Sequence, residues 1–537
     1  MSNLSKSGSF FDNRLILVLA IVITGWIAWQ AHLAKKYPEF YKRAQNNKQQ
    51  EAPVNKEISP NSTTKAPVEA PVTNAENKKI FTETMISYDD DIWSFKVSSQ
   101  GMALKEVRLK KFLDRVNTPI EFAKTPETSL FGTGLLGQRN PVDFSVQKTN
   151  DHEIVGVAQL GEMKITKILQ IDSQNYSIST KVRVENATNA FTGLVTNFSE
   201  VLDQNQGGSF FSAHFGHQEF YANHDGTGSR FIVDAEKPKI ETYAQTKIAS
   251  FGSQYFATAV VDRSPIMPSF KAMTIIDSKP LGIGSLTYSV LNTSNKFAIE
   301  YVVFAGPKTF EVLKAIDADL TNLVDFGFFT TIAKGILWLM KTIHSAIGNW
   351  GIAIIFLTLI VRIIVLPFNL LGYKQMKAMA KIQPQIKLLR ERFKDDQQKL
   401  SQEMMQLMKE AKANPLGGCL PMLFQIPIFF ALYQVIGQSI ELYQAPFALW
   451  INDLSLKDPF YVLPALMGIT MFIQQKISPS TLDPAQQKIM TFMPLLFTFF
   501  MISLPSGLTL YIFVSSVFGV LQQIYFMKDN NPVVAKA

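Results

Sequence analysis

Five stretches in the last third of the chain, about 350–371, 418–440, 460–476, 489–504 and 507–527, are almost wholly apolar, and none has an Asp, Glu or His in its interior. About 20 such residues in a helix cross a ~30 Å hydrocarbon core, where only helices and closed barrels satisfy their own backbone. The 460–476 and 489–504 stretches are short, which would thin a bilayer around them. Between the last two, Pro505-Ser506-Gly507 leaves room only for a tight turn, so these two are expected to form a helical hairpin. A sixth apolar stretch, 15–34, is long for a signal peptide, carries Trp26 and Trp29, and is followed by no small-x-small cleavage site. We read it as an uncleaved anchor, which makes the expected fold a six-helix membrane protein.

Charge orients the spans. Residues 374–414 carry ten Lys+Arg and five acids, whereas Lys457 is the one cation of 441–459. The positive-inside rule puts 374–414 in the cytoplasm, hence both termini inside and the region before the second span outside. Lys35, Lys36, Lys42, Arg43 and Lys48, just after the first span, point the other way, but long domains translocate largely regardless of flanking charge.

The remaining organisation follows from composition and period. Residues 1–34 form the anchor, and 35–79, rich in Gln, Asn, Lys, Pro and Thr, form a linker too polar to order itself. From 80 to 320 the period is two: in 176–184, Tyr, Ile, Thr, Val and Val alternate with polar residues, and 92–97 and 164–171 read likewise. Such alternation marks half-buried antiparallel strands and an all-β sandwich domain. Residues 76–325 hold 25 Lys+Arg against 29 Asp+Glu, so the chain's net charge of +8 lies beside the apolar segments and no specific nucleic-acid binding is expected. Cys419 is the one cysteine, which excludes an intrachain disulfide and a Cys-based zinc site. Within 321–347, Phe328, Phe329, Ile332, Ile336, Leu339, Met340 and Ile343 fall on one side of a helix, as in one lying in a membrane interface; packing on the sandwich is the alternative. Residues 348–528 then hold the five-span core and 529–537 a short tail.

Arg362 is the one charged residue well inside a span. Snorkelling covers only part of its distance to the cytoplasmic face. With no intramembrane carboxylate to pair with, it should face water or phosphate in a wet cavity. The absence of titratable groups from the spans argues against proton-coupled transport and against intramembrane acid–base hydrolysis. Uncharged polar side chains, among them Thr358, Gln425, Gln434, Gln474, Ser515 and Gln522, supply interhelical hydrogen bonds or line that cavity. The 374–414 loop reads as two amphipathic helices, about 373–393 and 397–411, with Asp395 and Asp396 as caps between them. It holds five methionines in 41 residues. Unbranched, polarizable side chains suit either a surface for varied apolar partners or two helices burying Met against each other. Other motifs are weak: Gly132-Thr133-Gly134-Leu135-Leu136-Gly137 lies among strands with no helix to follow, and His214, His217, His224 and Asp225 read as a solvated loop rather than a metal site.

Gly348-Asn349-Trp350-Gly351, Ile360-Val361-Arg362, Asn414-Pro415-Leu416-Gly417-Gly418-Cys419, Gln444-Ala445-Pro446-Phe447-Ala448-Leu449-Trp450, the run from Gln486 to Pro494, and Pro505-Ser506-Gly507 resemble the YidC family of bacterial membrane-protein insertases and chaperones. The resemblance covers roughly 325–528, while the anchor and β domain fit the Gram-negative form in layout. It implies a hydrophilic groove open to the cytoplasm and to lipid but closed outside, with Arg362, Thr358, Gln425, Gln434, Tyr511 and Ser515 as groove residues. It implies a cytoplasmic hairpin that receives nascent spans, with Met376, Met379, Met404 and Met408 as its contacts, and a periplasmic β-supersandwich. Implied partners are nascent membrane proteins, the ribosome, the Sec translocon and the lipid bilayer of the inner membrane, with no cofactor, covalent chemistry or nucleotide hydrolysis. Two departures stand out: Ile512 follows Tyr511 where some members have a second tyrosine, and the tail has only two lysines. The driving term for such an insertase would be burial of the substrate's apolar helix in lipid, about 25 cal/mol per Å². Competing readings are a channel for a small anion and an extracytoplasmic binding module on a membrane anchor.

Overall fold

The computed structural model describes residues 83–527 except 189, 204–216, 234–237, 277–278, 291–294, 395, 414–419 and 479–483. The expected anchor, linker and tail lie outside the described residues. The chain divides into a β unit that ends at Ala305 and a helical unit from Gly306 onward, with 203–218 and 252–257 grouped with the latter.

In the β unit, alternation decides which side chains are buried. Along the strand Ser177–Glu185, Ile178, Thr180, Val182 and Val184 are buried while Arg183 and Glu185 face outward. That strand pairs antiparallel with Met163–Asp172 and with Lys296–Pro307, inside a nine-stranded sheet; sheets of five and four strands complete the unit. Aromatic rings fill the core: Phe198 and Phe270 stack at 6.1 Å, and Phe220 lies 4.6 Å from Phe251. Gly132–Leu135 is a buried strand, so its glycines open no helix.

Eight α-helices are described in the helical unit: α1 Phe310–Ile316, α2 Thr330–Ile347, α3 Trp350–Arg392, α4 Gln397–Glu410, α5 Leu420–Gln438, α6 Val462–Ile477, α7 Pro484–Met501 and α8 Ser506–Met527. Every apolar stretch from 350 onward is helical. Among the described residues two helices, α3 and α8, are long and apolar enough to cross a membrane, while α6 and Thr491–Met501 of α7 are shorter apolar helices.

Three expectations need revision. The second span and the first hairpin helix are one 43-residue helix, α3. Asn349 caps its start by accepting from the Ile352 N–H at 3.0 Å. Gly372 alone is too weak a breaker to end it where apolar gives way to polar sequence. Next, α7 and α8 are not a packed pair among the described residues; α6 packs against both. The reason is local: the start of α8 is held by the 439–461 loop, with Ser506 N–H donating to Leu456 O at 2.6 Å and Gly507 N–H to Leu454 O at 2.9 Å. Gly468 meanwhile lets the Thr498 side chain of α7 close on α6, where a Cβ would collide with it. Finally, the apolar stripe of α2 is split. Of its members Ile336 and Met340 are buried, together with Ala333 and Leu337 beside them, where α2 packs against α3 and α5, while Phe328 and Ile332 stay exposed, as does Trp338 outside the stripe.

Candidate functional site

Arg362 lies twelve residues into α3, roughly 18 Å from its start. The next two side chains, Ile363 and Ile364, are 67% and 64% exposed. The guanidinium turns the other way and donates through Nε and Nη2 to Ser515 Oγ on α8, at 2.9 and 2.7 Å. One hydroxyl thus receives two of the five N–H donors. Among the described residues no carboxylate reaches Arg362.

The sequence repeats this polarity every fourth residue of α8, so Tyr511, Ser515 and Gly519 share one face. Tyr511 Oη accepts from Gln425 Nε2 of α5 at 2.6 Å. A Cβ on Gly519 would stand 3.0 Å from Gln474 Nε2 of α6 and 3.5 Å from Arg362 Nη2, so the glycine leaves room for both groups to approach α8. Farther along, Gln523 Nε2 donates to Ser478 Oγ at 2.9 Å. A polar seam therefore runs along α8 and takes one group from each of α3, α5 and α6. Its satisfaction is incomplete. Asn369, two turns after Arg362 and 4% exposed, has a buried Nδ2 without a partner among the described residues, and Gln522 Oε1 is likewise unpartnered. Groups left in that state cost about 1–3 kcal/mol each.

Of the six groove residues expected from the sequence, the seam brings together Arg362, Ser515, Gln425 and Tyr511. Thr358 is fully buried and donates its hydroxyl to Ile354 O of its own helix at 2.6 Å. Gln434, nine residues after Gln425, falls half a turn out of phase on α5. Gly519 and Asn369 were missed, although the four-residue repeat and the seven-residue step from Arg362 are readable in the sequence.

In the hairpin, Met379, Ile382, Ile386 and Ala413 are buried, and Met404, Leu407 and Met408 pack against them. Three of the four expected contact methionines therefore face one another inside the hairpin, and Met376 is half-buried on α3. Asp396 caps α4 by accepting from the Lys399 N–H at 2.9 Å, while Asp395 lies outside the described residues. Of the histidines weighed as metal ligands, His224 meets Ser229 Oγ at 2.9 Å and His214 lies outside the described residues.

The β unit holds a buried cation that sequence reading passed over. Lys167 is 1% exposed and donates to the carbonyls of Gly101, Met102 and Phe131 at 2.9, 3.2 and 2.8 Å. Burial pulls its ammonium down to about 7. The signal was its phase, on the inward side with Ile165, Leu169 and Ile171. Asp262, also buried, accepts from Tyr288 Oη at 3.0 Å, and burial pushes its carboxyl up to about 6.

Comparison with known proteins covers both units. Residues 86–339 match the family described as YidC periplasmic domain, and residues 342–533 the family described as 60Kd inner membrane protein. The membrane protein insertase YidC of Syntrophus aciditrophicus is 31% identical over 96% of this chain and all of its own length. That of Francisella philomiragia is 35% identical over 72% of each chain, and that of Methylobacillus flagellatus 29% identical over 97% of this chain and 98% of its own. The β unit falls within the periplasmic-domain match, which runs on through α1 and most of α2, the helices from α3 onward fall within the inner-membrane match, and the chain belongs to the YidC family of membrane protein insertases.

Proposed function

We propose that the chain inserts nascent membrane proteins into the inner membrane by way of the polar seam. Six spans, counting 15–34, hold both termini in the cytoplasm, and α2 lies in the periplasmic interface. The hairpin 374–414 meets the nascent segment first. The segment then enters between the helices at Arg362, Gln425, Tyr511 and Ser515 and leaves sideways into lipid. The chain works alone or beside the Sec translocon, and receives substrate from the ribosome. Partner assignment rests on the family resemblance.

The observation that carries this reading is Arg362, whose charge is met only by a serine hydroxyl among the described residues. A guanidinium so placed has donors to offer a substrate's acidic or backbone groups, and needs neither nucleotide nor covalent intermediate to do so. Support comes from the outward faces: Ile363, Ile469, Phe492, Leu495, Phe499 and Leu521 are all exposed, which suits lipid and not water. The outer end of the bundle is tied shut, because the 439–461 loop bonds to the start of α8 and accepts at Phe447 O from Asn349 Nδ2 at 3.0 Å.

Cysteine crosslinking of a ribosome-stalled single-span substrate tests the path. Gln425→Cys and Gln474→Cys should capture the nascent span and Ile363→Cys, on the lipid side of α3, should not. Equal capture at all three positions would remove the seam as the route.

A further inference from the structure

The 439–461 loop hides its acids and displays its apolar side chains. Asp458, 1% exposed, accepts from Trp450 Nε1 at 2.9 Å and from the N–H groups of Phe460 and Leu463 at 3.1 and 2.7 Å. Asp453 accepts from the N–H groups of Gln444 and Ser455 at 3.1 and 2.8 Å, and Glu441 pairs with Lys341 of α2 at 2.6 Å. What the loop turns outward is Pro446, Ala448, Leu449, Pro459, Phe460 and Tyr461, with Asn452 and Lys457 the polar exceptions. Leu449 is 86% exposed and Phe460 68%. A loop built for water would reverse this assignment.

Backbone geometry makes the display deliberate. Leu449 and Tyr461 have φ of +55° and +57°, a left-handed conformation that bulky residues rarely adopt. The carboxylate networks of Asp453 and Asp458 hold the chain around them. The rings of Trp450 and Phe460 meet edge-on at 6.3 Å and so join the two exposed ends into one patch.

We propose that this patch is a lipid wedge, in which Leu449, Phe460 and Tyr461 enter the outer leaflet at the boundary of headgroups and acyl chains. Lipid is the occupant because the patch continues into the exposed apolar side chains of α6, Leu466, Ile469, Phe472 and Ile473. The 16 residues of α6 span about 24 Å, short of a ~30 Å core. A loop seated about 5–10 Å below the headgroups makes up that difference. Lys457, exposed beside the patch, is placed to meet lipid phosphate. The proposal rests on the reading of α6 as a span.

The test uses full-length Cys419→Ser protein in phosphatidylethanolamine–phosphatidylglycerol vesicles, with a fluorophore on Leu449→Cys, Phe460→Cys, Asn452→Cys or Phe472→Cys. Iodide quenching should be severalfold weaker at 449 and 460 than at 452. Shallow nitroxide lipids should quench 449 and 460, and deep ones 472. Iodide access at 449 and 460 equal to that at 452, with 472 still quenched by deep lipid, would overturn the wedge and leave the span intact. Iodide access at 472 as well would overturn both. Protection of 449 and 460 from iodide and nitroxide lipids alike would mean that protein covers the patch, and would also overturn the proposal.

Discussion

Each unit turns a cation inward, Lys167 fully buried and Arg362 partly so, and the two are treated in opposite ways. Lys167 in the β unit is enclosed by three backbone carbonyls, which take all three of its N–H donors. Arg362 in the helical unit has one serine hydroxyl for five donors and no acid among the described residues. A charge with its donors filled is a structural fastener, because removing it strands the acceptors around it. A charge with donors to spare fits the proposed role, in which the remaining donors meet a passing substrate. Lys167 is the more buried of the two, and the acceptor inventory separates them further.

The largest test of this contrast is Lys167→Met, which leaves the carbonyls of Gly101, Met102 and Phe131 without their donor. We expect a loss of about 3–5 kcal/mol in the unfolding of the β unit, read in the full chain from the fluorescence of buried Trp93. A loss under 1 kcal/mol would break the comparison at its structural end.

Next in size is a pH effect from the same unit. Asp262 is raised by burial from 3.8 to about 6, so between those values the folded state keeps a proton that the unfolded chain releases. Its contribution is therefore full below about pH 4 and lost as pH rises through 6, by about 3 kcal/mol. Amide exchange of the strand Phe256–Asp262 should report that slope. Asp262→Asn should flatten it, since the amide oxygen still accepts from Tyr288.

The smallest effect in free energy falls at the candidate site. Arg362→Ala should leave unfolding within about 1 kcal/mol of the parent, because no filled acceptor network depends on the guanidinium. It should lower insertion of substrates with acidic translocated tails about tenfold more than of those with neutral tails. Equal loss for both classes would remove the electrostatic role, and a stability loss matching that of Lys167→Met would make Arg362 a fastener too.

Much of this molecule was legible beforehand because period and charge are local properties. The alternation in 176–184 buried Ile178, Thr180, Val182 and Val184, and the apolar stretches from 350 onward became helices. What escaped depended on partners distant in sequence. Asp396 as a cap was readable because its acceptor role lies three residues away. Arg362 on Ser515 was not, since 153 residues separate them and nothing local names the hydroxyl. Thr358 looked available until its own helix claimed the hydroxyl. The hairpin methionines fitted a receiving surface and a private core equally well, and Met379, Met404 and Met408 face the core.

The sequence by itself determined the membrane, the β domain and the one charge well inside a span, because such a charge in an apolar run has few physical outcomes. Tertiary structure alone decided which polar side chains meet it. The helices α3, α5, α6 and α8 each supply a group to the seam, and that convergence depends on packing across the bundle, not on any spacing along the chain.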